Sequence, residues 1–177
     1  MLPAVAAAHT GVAAHSSSHF LAGIIHAATG LDHMLGAILG GACIAMALHK
    51  SNKSLAKALP MALLAAIAFL ASAMLGSLMP ASLANVAEWA VLASLVVVMA
   101  AIATGLKARG QPLALATLLV TALASCHALA HGAELASAPL ATVAGFAAGA
   151  CALLVVVASL SAVALKRVLA RFKFAKL

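Results

Sequence analysis

The chemistry open to this sequence rests on three acidic residues, Asp32, Glu88 and Glu134, and eight histidines among 177 residues. At about 100° per residue, His19, His26 and His33 stand seven apart and fall within about 40° of one another on a helix, with His15 one turn before His19. The spacing of His127, His131 and Glu134 is four and then three, so HxxxHxxE also makes a single helical face. Imidazoles beside carboxylates are ligands for divalent first-row metals. No lysine or arginine lies near the acids, so a bound cation is the simplest source of compensating charge. A lone histidine in an apolar stretch is more often a packing residue; the argument for a ligand set rests on convergence. Cys43, Cys126 and Cys151 lie in apolar stretches without paired spacing, which argues against a disulfide framework or a thiolate zinc finger. Cys126 points about 100° away from His127 on a helix and is not counted as a ligand. His49, among lysines, reads as an interfacial residue, and Met34, Met46, Met74 and Met79 read as packing.

The elements that must hold these groups are membrane helices. Hydrophobic residues make up 66% of the chain, charged residues 7%, and the mean hydropathy is +1.20, outside the range of a soluble domain. With 3% aromatic residues and no tyrosine, packing must rest on Ala, Gly, Ser, Val and Leu, as in close-packed membrane helices. Spanning about 30 Å of hydrocarbon takes about 20 apolar residues. Five segments qualify: residues 31–48, 60–78, 83–106, 112–131 and 139–165. Pro60, Pro112 and Pro139 stand at or near the first turns of their segments, where a missing donor costs nothing, and Pro80 follows the second. The expected fold is an all-α bundle of about five transmembrane helices in one domain, preceded by a short interfacial or re-entrant helix within residues 13–29.

The loops orient the bundle. Lys50, Lys53 and Lys57 follow the first span, Lys107 and Arg109 the third, and Lys166, Arg167, Arg171, Lys173 and Lys176 the fifth. All ten basic residues therefore share one side, which the positive-inside rule makes cytoplasmic, with the N-terminus periplasmic. The net charge of +7 is accounted for in this way, without nucleic acid as a partner. Residues 1–8 resemble the end of a signal peptide but also read as an ordinary apolar segment. Counting about 20 residues back from the basic loops puts Asp32, His33 and Glu88 within a turn of the outer boundary, His131 at it and His127 about 6 Å deeper. Ionisable groups at such depth cost roughly 3 kcal/mol each unless paired. A helix continuous from His19 would be about 45 Å long, so a break near Thr29 and Gly30 is the economical alternative. The GxxxG patterns at residues 36–40 and 145–149 are of a kind that arises by chance in a chain this rich in small residues.

Residues 15–36, HSSSHFLAGIIHAATGLDHMLG, resemble the signature of the HupE/UreJ family of nickel permeases, whose core reads H-P-x-x-G-x-D-H; Ala27 stands here in place of Pro. Residues 126–135, CHALAHGAEL, are similar to the family's second motif, H-G-x-A-H-G-x-E, with Ala128 for Gly. HTG at residues 9–11 resembles the start of the mature family proteins. The resemblance implies a hydrogenase or urease accessory permease of the bacterial inner membrane that imports nickel. It implies His26, Asp32, His33, His127, His131 and Glu134 as ligands; by their place along the chain, His9, His15, His19 and Glu88 are expected as accessory or entry groups. No catalytic residue or catalytic cofactor is expected; the metal is the cargo. Nitrogen and oxygen ligands suit Ni²⁺ but also Co²⁺, Zn²⁺ and Cu²⁺, so the choice of nickel rests on the resemblance. The partners expected are the divalent ion and the lipid bilayer, with a homo-oligomer left open. Each motif offers at most three ligands, so one site spanning both is expected. Two other readings stay open: an intramembrane zinc hydrolase, and a metal sensor or a subunit of a larger transporter.

The orientation is testable in intact cells with an impermeant thiol reagent. A cysteine introduced at Asn52 should be shielded and one at Ser82 labelled. The reverse pattern would overturn the topology.

Overall fold

The computed structural model describes residues 19–80, 83–105, 111–136 and 138–174, with their side chains except those at 84–85, 133–136 and 169–174. The described residues form helices α1 (His19–Thr29), α2 (Leu31–Lys50), α3 (Ala58–Gly76), α4 (Ala84–Ala103), α5 (Pro112–Ala136) and α6 (Leu140–Phe174). A 3₁₀ turn, Leu55–Lys57, leads into α3. Five segments are long and apolar enough to cross a membrane: Leu31–Lys50, Leu55–Gly76, Val86–Ala103, Pro112–Gly132 and Leu140–Val168. The protein is an all-α membrane bundle, and α1 is the short apolar helix that precedes its spans.

Proline sets the helix starts. Pro112 opens α5 and Pro139 stands just before α6, positions where its fixed φ suits a first turn. Nothing stops α6 early, because the sequence after Gly149 has neither Gly nor Pro. Its 35 residues reach about 52 Å, so the helix runs on through Lys166 and Arg167, beyond the boundary at residue 165 expected from hydropathy.

Between α1 and α2 the chain breaks at a single residue. Gly30 is extended, with φ −68° and ψ 125°, so the helix breaks where the length of an uninterrupted one made a break economical. The backbone groups are still satisfied: the Gly30 N–H donates to the His26 carbonyl at 3.1 Å, and the Met34 N–H donates to the Gly30 carbonyl at 2.9 Å. Glycine is required here for space, not for φ, since a Cβ would run into Nδ1 of His33.

Small residues bring the helices together. Gly23 of α1 lies against the backbone of Thr142, Gly145 and Phe146 on α6, and Gly145 lies against the backbone of Phe20. A methyl at Gly149 would stand 3.1 Å from Ala27 Cβ. Gly76 of α3 and Gly132 of α5 meet backbone to backbone. On α2, a Cβ at Gly41 would stand 2.8 Å from the Ala158 amide of α6. Lipid tails provide no hydrophobic drive for association, so this close approach supplies the dispersion contact that holds the bundle. The pattern at residues 145–149 is therefore a real helix contact, which the sequence alone could not separate from chance, whereas on α2 the close backbone approach is at Gly41, just outside the pattern at residues 36–40.

The core toward the basic loops is apolar. Cys43, Ile44, Ala47 and Leu48 of α2 pack there with Met61 and Ala62 of α3, Val98 of α4, Ala116 and Val120 of α5 and Ala158 of α6. A second cluster of Ala27, Phe69, Ala73, Ala128, Phe146 and Ala147 lies closer to the acidic end. The α1–α6 seat gives a direct test. Gly145→Ala should destabilise the protein in mild detergent by about 1–3 kcal/mol, because the methyl must displace α1 backbone. Gly36→Ala should cost less than about 1 kcal/mol, because its Cβ meets its nearest neighbour, Cε1 of His127, at an ordinary 3.5 Å. Equal unfolding midpoints for the two variants would show that α1 is not seated this way.

Candidate metal centre

The break at Gly30 puts Asp32 and His33 into the first turn of α2, where the positive end of the helix favours a carboxylate. His33 is buried, and its ring is the hub of the site. Its centroid lies 5.2 Å from that of His26, 5.1 Å from His131 and 6.1 Å from His127. The sequence placed His26 and His33 on one stripe only if the helix were continuous. They meet across the break instead, because α1 is pressed onto α6 and turned toward the start of α2.

A single carboxylate oxygen joins the two motifs. Nε2 of His131 donates to Oδ2 of Asp32 at 3.2 Å. Nε2 of His33 approaches the same oxygen at 3.4 Å, within ion-pair range but without a hydrogen-bond alignment. One ligand atom from each of Asp32, His33 and His131 can be chosen so that all lie within 4.8 Å of one another. A first-row metal with bonds of about 2.0–2.2 Å separates adjacent ligand atoms by about 3.0–3.5 Å, so the two short distances already match a coordination sphere.

His127 stands one turn inward of His131 and is buried. Its Nδ1–H donates to the Leu123 carbonyl at 3.2 Å; a carbonyl can only accept, so Nε2 carries the lone pair. That Nε2 is buried and makes no aligned hydrogen bond among the described residues, with the Asp32 main chain close to the ring. His127 and His131 thus share the helix face that their spacing implied, but His127 is outside the group of three whose ligand atoms converge.

Phe146 supplies a wall. Its ring meets His33 edge-on at 4.7 Å and Phe69 stacks on it at 4.8 Å. Sequence reasoning missed both phenylalanines; the one signal was that Phe146 lies inside a GxxxG pattern in a chain with few rings. The remaining expected residues are distributed as follows. Glu134 lies in the last turn of α5, three residues beyond His131, and its side chain is outside the described set. Glu88 is exposed on α4 and does not join the cluster, and His19 is exposed at the start of α1. His9 and His15 fall outside the described residues. Cys126 turns to Ser94 on α4, in keeping with its expected direction. His49 is exposed at the opposite end of α2.

The sequence model of a family described as HupE / UreJ protein matches residues 1–175. No curated protein and no solved structure gives a significant match.

The shared oxygen makes Asp32 the most sensitive position. Calorimetry of the purified protein with Ni²⁺ should show Asp32→Ala losing at least about 100-fold in affinity, whereas Glu88→Ala should change it by less than about tenfold, as a group beyond the ligands. Unaltered binding by Asp32→Ala would mean that the metal is held elsewhere.

Proposed function

Because the chain belongs to the HupE/UreJ family, which is associated with nickel and cobalt transport for hydrogenase and urease, we propose that it is a nickel permease that captures Ni²⁺ at the periplasmic face. The observation that carries this reading is the convergence of His33 and His131 on one oxygen of Asp32, at the end of the bundle away from the basic loops. Asp32, His33 and His131 form the primary ligand set. Glu134, from the same motif as His131, brings a second negative charge to match the dication, and His26 borders the cluster through His33. His19 and Glu88, which are exposed, gather ions for the cluster, with His9 and His15 as accessory groups from the N-terminal segment. Ni²⁺ takes nitrogen and oxygen ligands of these types, and Co²⁺ is the nearest competitor in this family.

The scale of the site supports transport over hydrolysis. The cavity beside His33 and His127 has a volume of about 60 Å³. That is room for about two waters, enough for a partly hydrated ion; a small-molecule pocket is about 300 Å³ or larger. The membrane potential supplies the drive. Each elementary charge gains about 2.3 kcal/mol per 100 mV, so a dication gains about 4.6 kcal/mol without a coupled ion.

Reconstitution in proteoliposomes tests this directly. Uptake of Ni²⁺ should proceed without nucleotide, rise with an inside-negative potential, and exceed uptake of Zn²⁺ and Cu²⁺ in a matched panel. Zinc-dependent cleavage of a lipid or peptide without metal uptake would overturn the assignment, as would uptake that requires an added partner protein.

A further inference from the structure

The cavity next to the cluster extends away from it. On α2 it is lined by His33, Gly36 and Ala37, on α5 by His127, Ala124, Leu123 and Val120, and on α6 by Phe146 and Ala150. From His127 to Val120 is seven residues, so the space reaches about 10 Å toward the middle of the bundle. Apart from His33 and His127, its lining is apolar.

His127 is set up to act into this space. Its Nδ1–H donates to the Leu123 carbonyl, and its Nε2 is buried without an aligned hydrogen bond among the described residues, with the Asp32 main chain close to the ring. The gap that makes Nε2 approachable comes from Gly36: a Cβ there would stand 3.7 Å from that nitrogen. An unpartnered buried imidazole nitrogen is costly, and it is also a ready metal ligand. The ring of His33 lies between His131 and His127, with centroids 5.1 and 6.1 Å away.

We propose that this cavity is a second, inner cation position, in which His127 Nε2 and water hold the ion after it leaves Asp32, His33 and His131. The proposal rests on the transport reading above and adds a step to it. The two positions differ in kind. The outer one holds a carboxylate, which a dication binds strongly. The inner one offers neutral imidazole and room for about two waters, and so binds more weakly and releases faster. His127 accordingly serves as the receiving ligand, separate from the capture set.

The test is a titration of the full-length protein with Co²⁺, followed by visible absorption and calorimetry, together with Co²⁺ flux in proteoliposomes. Wild type should take up two equivalents, the second at least about tenfold weaker than the first. His127→Leu should lose only the weak equivalent and slow the flux by about tenfold or more. Ala124→Leu fills the cavity without removing a ligand and should have the same effect, which keeps the test valid if the histidine variant does not fold. Asp32→Ala should lose the tight equivalent. A single equivalent in wild type that still transports, or loss of the tight equivalent in His127→Leu, would refute the inner position and leave the permease reading intact. Normal flux through Ala124→Leu would also refute it. Absence of both binding and flux in wild type would instead defeat the permease reading itself.

Discussion

The acidic end of the bundle is organised around one atom, Oδ2 of Asp32. A carboxylate near hydrocarbon must be compensated, and the described residues around it offer imidazole nitrogens at 3.2 and 3.4 Å instead of lysine or arginine. Imidazole is a partner that a metal can also use, whereas a guanidinium would occupy the carboxylate permanently. Much of the surrounding structure serves this geometry. The break at Gly30 puts Asp32 at the start of a helix and leaves room for the His33 ring.

The composition that marks a membrane protein also positions the site. Gly23, Gly145 and Gly149 bind α1 to α6 with almost no side chain between them, and this seat directs His26 toward His33. Gly76 and Gly132 do the same for α3 and α5 just past His131. Bulkier residues at these places would separate the helices by a few ångströms, more than a coordination sphere tolerates. Phe146 and Phe69 then close the side of the cluster that the small residues leave open.

Much of this was legible in the sequence, because it is local. The spans follow from apolar runs and proline, and the shared face of His127 and His131 follows from their spacing of four. The need for a break near Gly30 follows from the length of an uninterrupted helix. What was not legible depends on how the helices rotate against one another. Hydropathy placed Glu88 near the start of a span but could not show that α4 turns it outward. Two motifs of three ligands suggested one common site, yet one turn of helix is enough to move His127 out of the group that converges on Asp32. The partners of the glycine patterns and the phenylalanine wall are long-range contacts, and no local spacing encodes them.

The hydrogen bonds also distinguish the two histidines of α5 chemically. For His131 to donate to Asp32, its Nε2 must carry a proton, and a metal can take that nitrogen only once the proton has moved to Nδ1 or left the ring. For His127 to donate to Leu123, its proton must sit on Nδ1, and Nε2 is already bare. Capture at the cluster therefore includes a proton rearrangement on His131 beside a charged oxygen, a step that costs affinity. At His127 the ring donates to a backbone carbonyl instead, and the nearby Asp32 carboxylate acts on it through space without a direct bond. Two histidines four residues apart on one helix thus present an incoming dication with different chemistry, and the difference arises from the acceptor each finds: a carboxylate for one, a main-chain oxygen for the other.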